Sequence, residues 1–428
     1  MNTWRQKLGL RLLAPPTRRQ ITTAAKWWIT GIVVAQAGAV ASVITADWLR
    51  RRRQSEPDSF LTAPPRSVRV AASSVTTYTD ARALYDAMLA AIRQAKNRVY
   101  FETYIWKSDQ WGQAFKDELL AAARRGVDVR IIYDALGNLV VDPRFFRFPR
   151  LRKLQVLRIP VFNRGMLSFS PRHFGRDHRK ILVVDSTTGF VGGYNIGGLY
   201  RETWRDTHVQ ITGPSVWELD NAFTDFWNLY RDNKHTPLPD RGAREWDARI
   251  RAAQNSPAKL LFPVRGLYID ACDRAVERIW ITQAYFIPDQ EIMGSLIAAA
   301  RRGVDVKVLI PEISNHVVAD WVARAHFTRL LESGVEIWLY QGAMIHAKTA
   351  TVDGRWATVG TANIDRLSLT GNHEINLEFV SKRYASVMEG VFRRDLSQSR
   401  RLTWNEWQAR PYLHRLGERL LRPLAPLM

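Results

Sequence analysis

The sequence is nearly without cysteine. Cys272 is the single one in 428 residues, so an intrachain disulfide framework is excluded and no thiolate cluster can hold a metal. A reducing compartment fits this, and so does a disulfide-free exported domain. Acidic residues are absent from the first 46 positions, and over the whole chain 62 Lys and Arg face 41 Asp and Glu, a formal charge of +21. Such an excess calls for a polyanionic partner, either a nucleic acid or an anionic lipid surface, and charge alone does not choose between them. Histidine is also scarce. His235, His316, His326 and His414 lack metal-ligand spacing, so neither a metal nor any other cofactor is expected.

Charge of either sign is missing between Lys26 and Asp47, where twenty residues read "WWITGIVVAQAGAVASVITA". As a helix they would span roughly 30 Å, the thickness of a bilayer core. Trp27, Trp28 and Trp48 bracket the run and four arginines, Arg50 to Arg53, follow it, which predicts a membrane helix over residues 27–49 within a basic region 1–60. A cleaved signal peptide, a buried core helix and an organelle-targeting leader are the alternative readings.

With 46% apolar and 24% charged residues, the remainder has the composition of a globular protein. Its main feature is a repeat. "AAARRGVDV" occurs at Ala121 to Val129 and again at Ala298 to Val306. Each copy follows a strand-like run, "RVYFETYIW" or "RIWITQAYFI", with a helix-like segment between, and a glycine stop then leads into β-branched residues. A further helix and strand are expected in each half, from "FFRFPRLRKLQVLRIPVF" and "HFTRLLESGVEIWLY". Alternating strands and helices imply an α/β fold with mixed, largely parallel sheets. Two homologous half-domains are expected at residues 67–233 and 257–400, joined by a polar linker at 234–256. A repeat present only twice suggests two units related by a pseudo-twofold axis rather than a solenoid.

The chemistry sits in a second repeat. "HRKILVVDSTTGFVGGYNIG" begins at His178 and "HAKTATVDGRWATVGTANID" at His346. His178, Lys180, Asp185, Gly192 and Asn195 each find an identical residue 168 positions later, at His346, Lys348, Asp353, Gly360 and Asn363. On a strand the His and the Lys, two apart, share a face. Two imidazoles able to attack or move protons and two ammonium charges would then meet a phosphodiester, with Asn195 and Asn363 binding its oxygens. Asp185 and Asp353 complete the motif, but five residues beyond the Lys they fall on the opposite parity beside a turn, where they are expected to hold backbone. A carboxylate stands 28 residues after each histidine, Asp206 and Glu374. These are expected to orient the imidazoles, because a nucleophilic histidine needs its other nitrogen held by an acceptor. His173, His208 and His373 break the offset and are read as supporting or surface residues.

Two HxKxxxxD motifs, each followed by a glycine-rich segment with Asn, resemble the phospholipase D superfamily. Within it, "DHRKILVVD", "WRDTHVQITGP", "MIHAKTATVDGRWATVGTANID" and the tail "LLRPLAPLM" are similar to bacterial cardiolipin synthases. The resemblance implies a two-step, metal-independent phosphatidyl transfer through a phosphohistidine. The catalytic set would be His178, Lys180, Asp185, His346, Lys348 and Asp353, with His178 as nucleophile and His346 as acid and base. It also implies anionic phospholipid partners, phosphatidylglycerol and cardiolipin, and a place at the inner membrane, held there by the N-terminal helix. No nucleic acid is expected. A membrane-tethered phospholipase D releasing phosphatidic acid, and a nuclease, remain the alternatives. "LTGNHEINLEF" departs from the usual wording before the second carboxylate, which bears on the acceptor more than on the chemistry. Residues 401–428 form a tail in which Tyr412, Leu413, Leu416, Leu420 and Leu424 share a helical face with Arg415, Arg419 and Arg422 beside it, a pattern that suits either a membrane interface or a helix packed on the core.

Overall fold

The computed structural model describes residues 60–162, 175–243 and 247–427, together with 30, 34 and 36–49 near the N-terminus. Two eight-stranded mixed sheets carry the fold. The first contains β1 (Arg66–Val70), β2 (Ser73–Tyr78), β3 (Arg98–Thr103), β4 (Asp128–Asp134), β5 (Leu154–Ile159), β6 (Ile181–Val184), β7 (Thr188–Gly192) and, after the two-residue β8 (Trp204–Arg205), β9 (His208–Thr212). The second contains β10 (Ile250–Asn255), β11 (Arg278–Gln283), β12 (Asp305–Pro311), β13 (Glu336–Tyr340) and, after the two-residue β14 (Met344–Ile345), β15 (Lys348–Val352), β16 (Trp356–Gly360), β17 (Glu374–Val380) and β18 (Ser399–Arg401). Their orders, β1-β2-β9-β7-β6-β3-β4-β5 and β10-β17-β16-β15-β11-β12-β13-β18, superpose strand for strand from β2/β10 to β5/β13.

Helices cover these sheets. Residues 36–49 form α1. Then come α2 (Ala81–Gln94), α3 (Gln110–Arg124), α4 (Gly198–Glu202) and α5 (Trp217–Tyr230) in the first half, and α6 (Pro263–Arg274), α7 (Gln290–Arg301), α8 (Val317–Glu332), α9 (Arg366–Thr370), α10 (Lys382–Ser397), α11 (Trp404–Gln408) and α12 (Tyr412–Leu421) in the second. The glycine stops act as expected. Asp109 and Asp289 cap α3 and α7 through two backbone amides each, and Gly126 and Gly303 end the same helices at φ of 96° and 91°.

The sheets are not largely parallel. Only β3-β4-β5 and β11-β12-β13 run parallel, and every other pairing within the two sheets is antiparallel. Each His-Lys-Asp stretch is itself the reason. It folds as a hairpin, β6–β7 or β15–β16, whose connection of three residues is too short for a parallel crossover. Asp185 and Ser186, and Asp353 and Gly354, take the left-handed backbone that such a tight turn needs, at φ between 52° and 59°.

Two further expectations fail. No helix forms between Pro143 and Arg152, where Pro143 and Pro149 interrupt it, whereas the second half carries the sixteen-residue α8. The stretch expected to be linker holds β10, which pairs with β17 along its whole length. "IRAAQN" alternates too weakly to be legible as a strand, and its partner supplies the order.

The halves share a core. Val191, Val209 and Ile211 from the first sheet pack with Val359, Ile375 and Leu377 from the second. The N-terminal membrane segment falls mostly outside the described residues, including Trp27, Trp28 and the arginine cluster. In its described part Val43 is buried with the second half's core, while Ile44, Trp48 and Leu49 are exposed. Among the described residues no helix is long and apolar enough to cross a membrane. The tail divides between its two readings. Leu421 is buried and Gly417 lies against Trp321, but Tyr412, Leu413 and Leu416 on α12 are exposed.

Candidate active site

Each His-Lys stretch begins before its strand. Just upstream of β6 and β15 the chain leaves its own sheet and pairs with the other half. β14 pairs with β8 in parallel, and Asp177 makes the corresponding bridge to His373. His346 N–H donates to the Arg205 carbonyl at 2.7 Å and His178 N–H to the His373 carbonyl at 3.0 Å. Such reciprocal exchange is what a twofold relation between half-domains produces.

It also decides which carboxylate meets which histidine. Asp206 directly follows Arg205 and Glu374 directly follows His373, so both carboxylates are delivered across the interface. His178 Nδ1–H donates to Glu374 at 2.9 Å, and His346 Nδ1–H donates to Asp206 at 2.7 Å. The spacing of 28 residues leaves the pairing open, and the structure crosses the pairs. One-dimensional spacing is the same in both cases, because each half donates its carboxylate and receives the other's. Glu374, one methylene longer, is also held by Thr361 Oγ1–H at 2.5 Å, and Asp206 by the Thr207 amide at 2.6 Å. Glycine is required at 193, where a Cβ would lie 2.1 Å from an Asp206 carboxylate oxygen.

The ammonium groups are placed by the same extended segments. Lys180 Nζ donates to the carbonyl of His178 at 2.6 Å and Lys348 Nζ to that of His346 at 2.5 Å. Both side chains are buried. Among the described residues neither is ion-paired, leaving two N–H donors on each for a ligand. Buried cations without a carboxylate partner are costly, so their presence twice in one place marks an anion site. Burial pulls Lys180 down to about 8 and Lys348 down to about 7, with Asp206 and Glu374 opposing the shift. Burial also lowers both histidines. Lys180 and Lys348 add to it in both, Glu374 works against it in His178, and His346 is held well below its ordinary value. Burial pushes Asp206 up to about 6 against the pull of Lys348. Neutral imidazoles with Nδ1–H bound to a carboxylate leave Nε2 free to attack phosphorus or take a proton.

Asn195 and Asn363 are buried, and the side-chain carbonyl oxygen of each has no partner among the described residues. Asp185 and Asp353 stand away from this chemistry. Asp185 accepts from the amides of Lys96, Asn97 and Arg98, and Asp353 from those of Val276, Glu277 and Arg278, so the last letter of each motif fastens the hairpin turn to the start of the neighbouring strand.

Sequence reasoning missed several neighbours. Tyr104 packs its ring edge on His178 at 4.8 Å, and Trp204 lies 4.8 Å from His346. His208 and His373 are buried rather than on the surface, with His373 bonded to the Tyr230 hydroxyl at 2.8 Å; His173 lies outside the described residues. Behind His178, Arg179 is enclosed by Glu102 at 2.5 Å and Asp177 at 3.4 Å. The second half replaces Asp177 and Arg179 with Ile345 and Ala347. The signal available was this contrast between "DHRK" and "IHAK".

Residues 88–227 and 268–396 match the family model described as cardiolipin synthase, phospholipase D-like domain. The major cardiolipin synthase ClsA of Bacillus subtilis (strain 168) is 32% identical over 368 residues, covering 83% of this chain and 76% of that protein. Cardiolipin synthase A of Pseudomonas putida (strain W619) is 32% identical over 412 residues, covering 91% and 84%. Among solved structures, phosphatidylserine synthase of Haemophilus influenzae Rd KW20 superposes with a TM-score of 0.64 at 15% identity, covering 85% of this chain and 95% of its own, a likeness of fold. With the family model covering both halves of the site and relatives matched along most of their length, the chain belongs to the cardiolipin synthase family of phospholipase D-like enzymes.

Proposed function

We propose that the protein is a phosphatidyltransferase that moves a phosphatidyl group from one phospholipid to the primary hydroxyl of phosphatidylglycerol, forming cardiolipin and releasing a small alcohol such as glycerol. The observation that carries this is the crossed arrangement: two imidazoles, each oriented by the other half's carboxylate, around two buried ammonium groups with no carboxylate of their own. In the first step Nε2 of His178 attacks phosphorus and the bond to the donor's head-group oxygen breaks. His346 gives its proton to the departing alcohol. In the second step His346, now neutral, takes the proton of the incoming hydroxyl, whose oxygen attacks the phosphohistidine and frees His178. Lys180 and Lys348 hold the non-bridging oxygens, with Asn195 and Asn363 beside them, as charge grows in each transition state. The anionic substrate itself favours the protonated form of His346, which the empty site disfavours.

The same reading places the enzyme on an anionic bilayer, at the inner membrane. Its supports are the charge of +21, the exposed Ile44, Trp48 and Leu49 of α1, and the exposed Tyr412, Leu413 and Leu416 of α12 with Arg415 and Arg419 beside them. The N-terminal segment is proposed as the anchor.

The test is lipid analysis of a cardiolipin-deficient bacterium expressing the chain, His178→Ala or His346→Ala, alongside purified enzyme given labelled phosphatidylglycerol in detergent. Cardiolipin from the unaltered chain and none from either variant is the expected result. Phosphatidic acid without cardiolipin would replace the transferase by a hydrolase, and faster turnover of nucleic acid than of lipid would replace both.

A further inference from the structure

The two halves differ at the carboxyl ends of their parallel strands, where open α/β sheets bind ligands. Trp106 and Phe286 occupy equivalent places, since each bridges to the isoleucine following the site asparagine, Ile196 or Ile364. In the first half this end is plugged. Phe145 and Phe146 pack on Trp106 at 5.4 and 6.1 Å, and Phe146 stacks on Tyr133 at 4.3 Å. Lys116 pins the plug by donating to the carbonyls of Phe145 and Arg147.

In the second half the corresponding end is open. Beneath α8, α11 and α12 lies a cavity of about 440 Å³, within the range of roughly 300–1,000 Å³ typical of ligand sites. Its walls include Phe286, Ile310, Ala323, Phe327, Leu339 and Trp407. The three arginines around it are matched by three glutamates: Arg324 and Arg410 share Glu418, both at 3.1 Å, and Arg400 pairs with Glu312 at 2.6 Å and Glu406 at 2.7 Å. Nothing in that charge pattern asks for a charged ligand, whereas the walls suit hydrocarbon. Tyr285 connects the cavity to the chemistry, for it lines the cavity and its ring lies 6.3 Å from that of His346. Pro411 and His414 line it from α12 and its start, the element that exposes Tyr412 and Leu413.

We propose that this cavity receives an acyl chain of the acceptor phospholipid, drawn from the bilayer beneath α12, so that the acceptor's hydroxyl is presented on the His346 side of the site. The proposal rests on the transferase reading. It assigns the donor to the half whose strand ends are plugged, so that the acceptor alone is anchored by its tail.

Ala323→Phe fills the cavity from α8, and Ala323→Leu fills it more gently if the larger ring prevents folding. Purified enzyme and variant are compared with dioleoyl and dihexanoyl phosphatidylglycerol as acceptors, at a fixed labelled donor, and with a phosphatidylglycerol carrying a diazirine in one acyl chain. The expected outcome is at least a tenfold rise in KM for the dioleoyl acceptor, little change for the dihexanoyl one, unchanged release of the small alcohol from the donor in a single turnover without acceptor, and crosslinks between residues 310 and 327 that the variant loses. A folded variant with unaltered chain-length discrimination, or crosslinks confined to other segments, overturns the proposal. Absence of cardiolipin from the unaltered enzyme would instead reject the transferase reading, whatever the crosslinks show.

Discussion

The crossed pairing of carboxylates and histidines makes a prediction that pairing within each half reverses. Asp206→Asn should impair the histidine of the second half, and Glu374→Gln that of the first. A charge-assisted hydrogen bond between buried partners contributes about 1.5–3 kcal/mol, or roughly 10- to 150-fold in rate when it supports only the charged state. An amide can also present its N–H and hold the imidazole in the wrong tautomer, which extends the loss toward about 10⁴-fold. Asp206 sits at 2.7 Å from its histidine and is fully enclosed, so the upper part of that range is expected.

The assay separates the two steps. With a phosphodiester whose leaving group is an activated phenol, departure needs no proton, and only the nucleophile must be intact. Asp206→Asn should then form the phosphohistidine at near the original rate and fail to pass it on, so that the covalent intermediate accumulates and can be mapped to His178. Glu374→Gln should form little of it even from the activated substrate. Accumulation in Glu374→Gln and none in Asp206→Asn would refute either the crossing or the assignment of His178 as nucleophile. Mapping the phosphate to His346 or His178 tells which of the two failed.

The charges of the site set its pH dependence. Asp206 must be ionised, and it loses its proton near 6; Lys348 and Lys180 must be protonated, and they lose theirs near 7 and 8. Steady-state kcat/KM is therefore expected to rise into the range between 6 and 7 and to fall above it, and a profile flat from pH 5 to 9 would contradict the burial of these groups. Gly193→Ala drives a methyl into the Asp206 carboxylate; a displacement near 1 Å of that carboxylate should cost about 10²-fold in kcat, while circular dichroism stays unchanged. Asp353→Ala removes three amide bonds at a partly exposed turn. It should lower the unfolding free energy in urea by about 1–2 kcal/mol and leave KM alone. The amide donors hold the Asp353 carboxyl below its ordinary value, so this contribution is present above the ordinary carboxylate range and is lost as pH falls through the folded value.

Much of this was legible in the sequence, because duplication writes each functional position twice. His, Lys, Asp, Gly, Asn and the carboxylate all keep one offset of 168 residues, and random agreement of that kind does not survive in surface strands. The turn role of Asp185 and Asp353 followed from strand parity. What failed was whatever depends on the third dimension or on a local breaker. The pairing of carboxylates could not be read, since within-half and crossed pairing have identical spacing. The helix expected around "FFRFPRLRK" is absent because Pro143 and Pro149 remove donors where it would continue. The sheets are less parallel than alternating strands and helices imply, because the motif itself contains the short turn of an antiparallel hairpin.

The structure also gives a reason for the duplicated site to be unequal. Transfer needs one imidazole that starts neutral and attacks, and another that starts protonated and donates, so two identical half-sites would compete for both roles. The halves differ where this matters. Around His178 stand Asp177, Arg179 and Glu102, with Glu374 braced by Thr361; around His346 stand Ile345 and Ala347, with Asp206 fitted against Gly193 and bonded to the Thr207 amide. Lys180 and Lys348 deepen the lowering of both imidazoles, Glu374 opposes it in His178, and His346 ends the lower of the two. In the proposed mechanism His346 gains its proton when the substrate's anion sits between the lysines, which would tie its acid function to the presence of substrate. Once the donor's alcohol has left, the same imidazole is neutral and ready to activate the next hydroxyl. Whether that hydroxyl belongs to water or to a lipid then depends on what occupies the space beside His346, and an acyl chain in the cavity lined by Tyr285, as proposed, would favour the lipid.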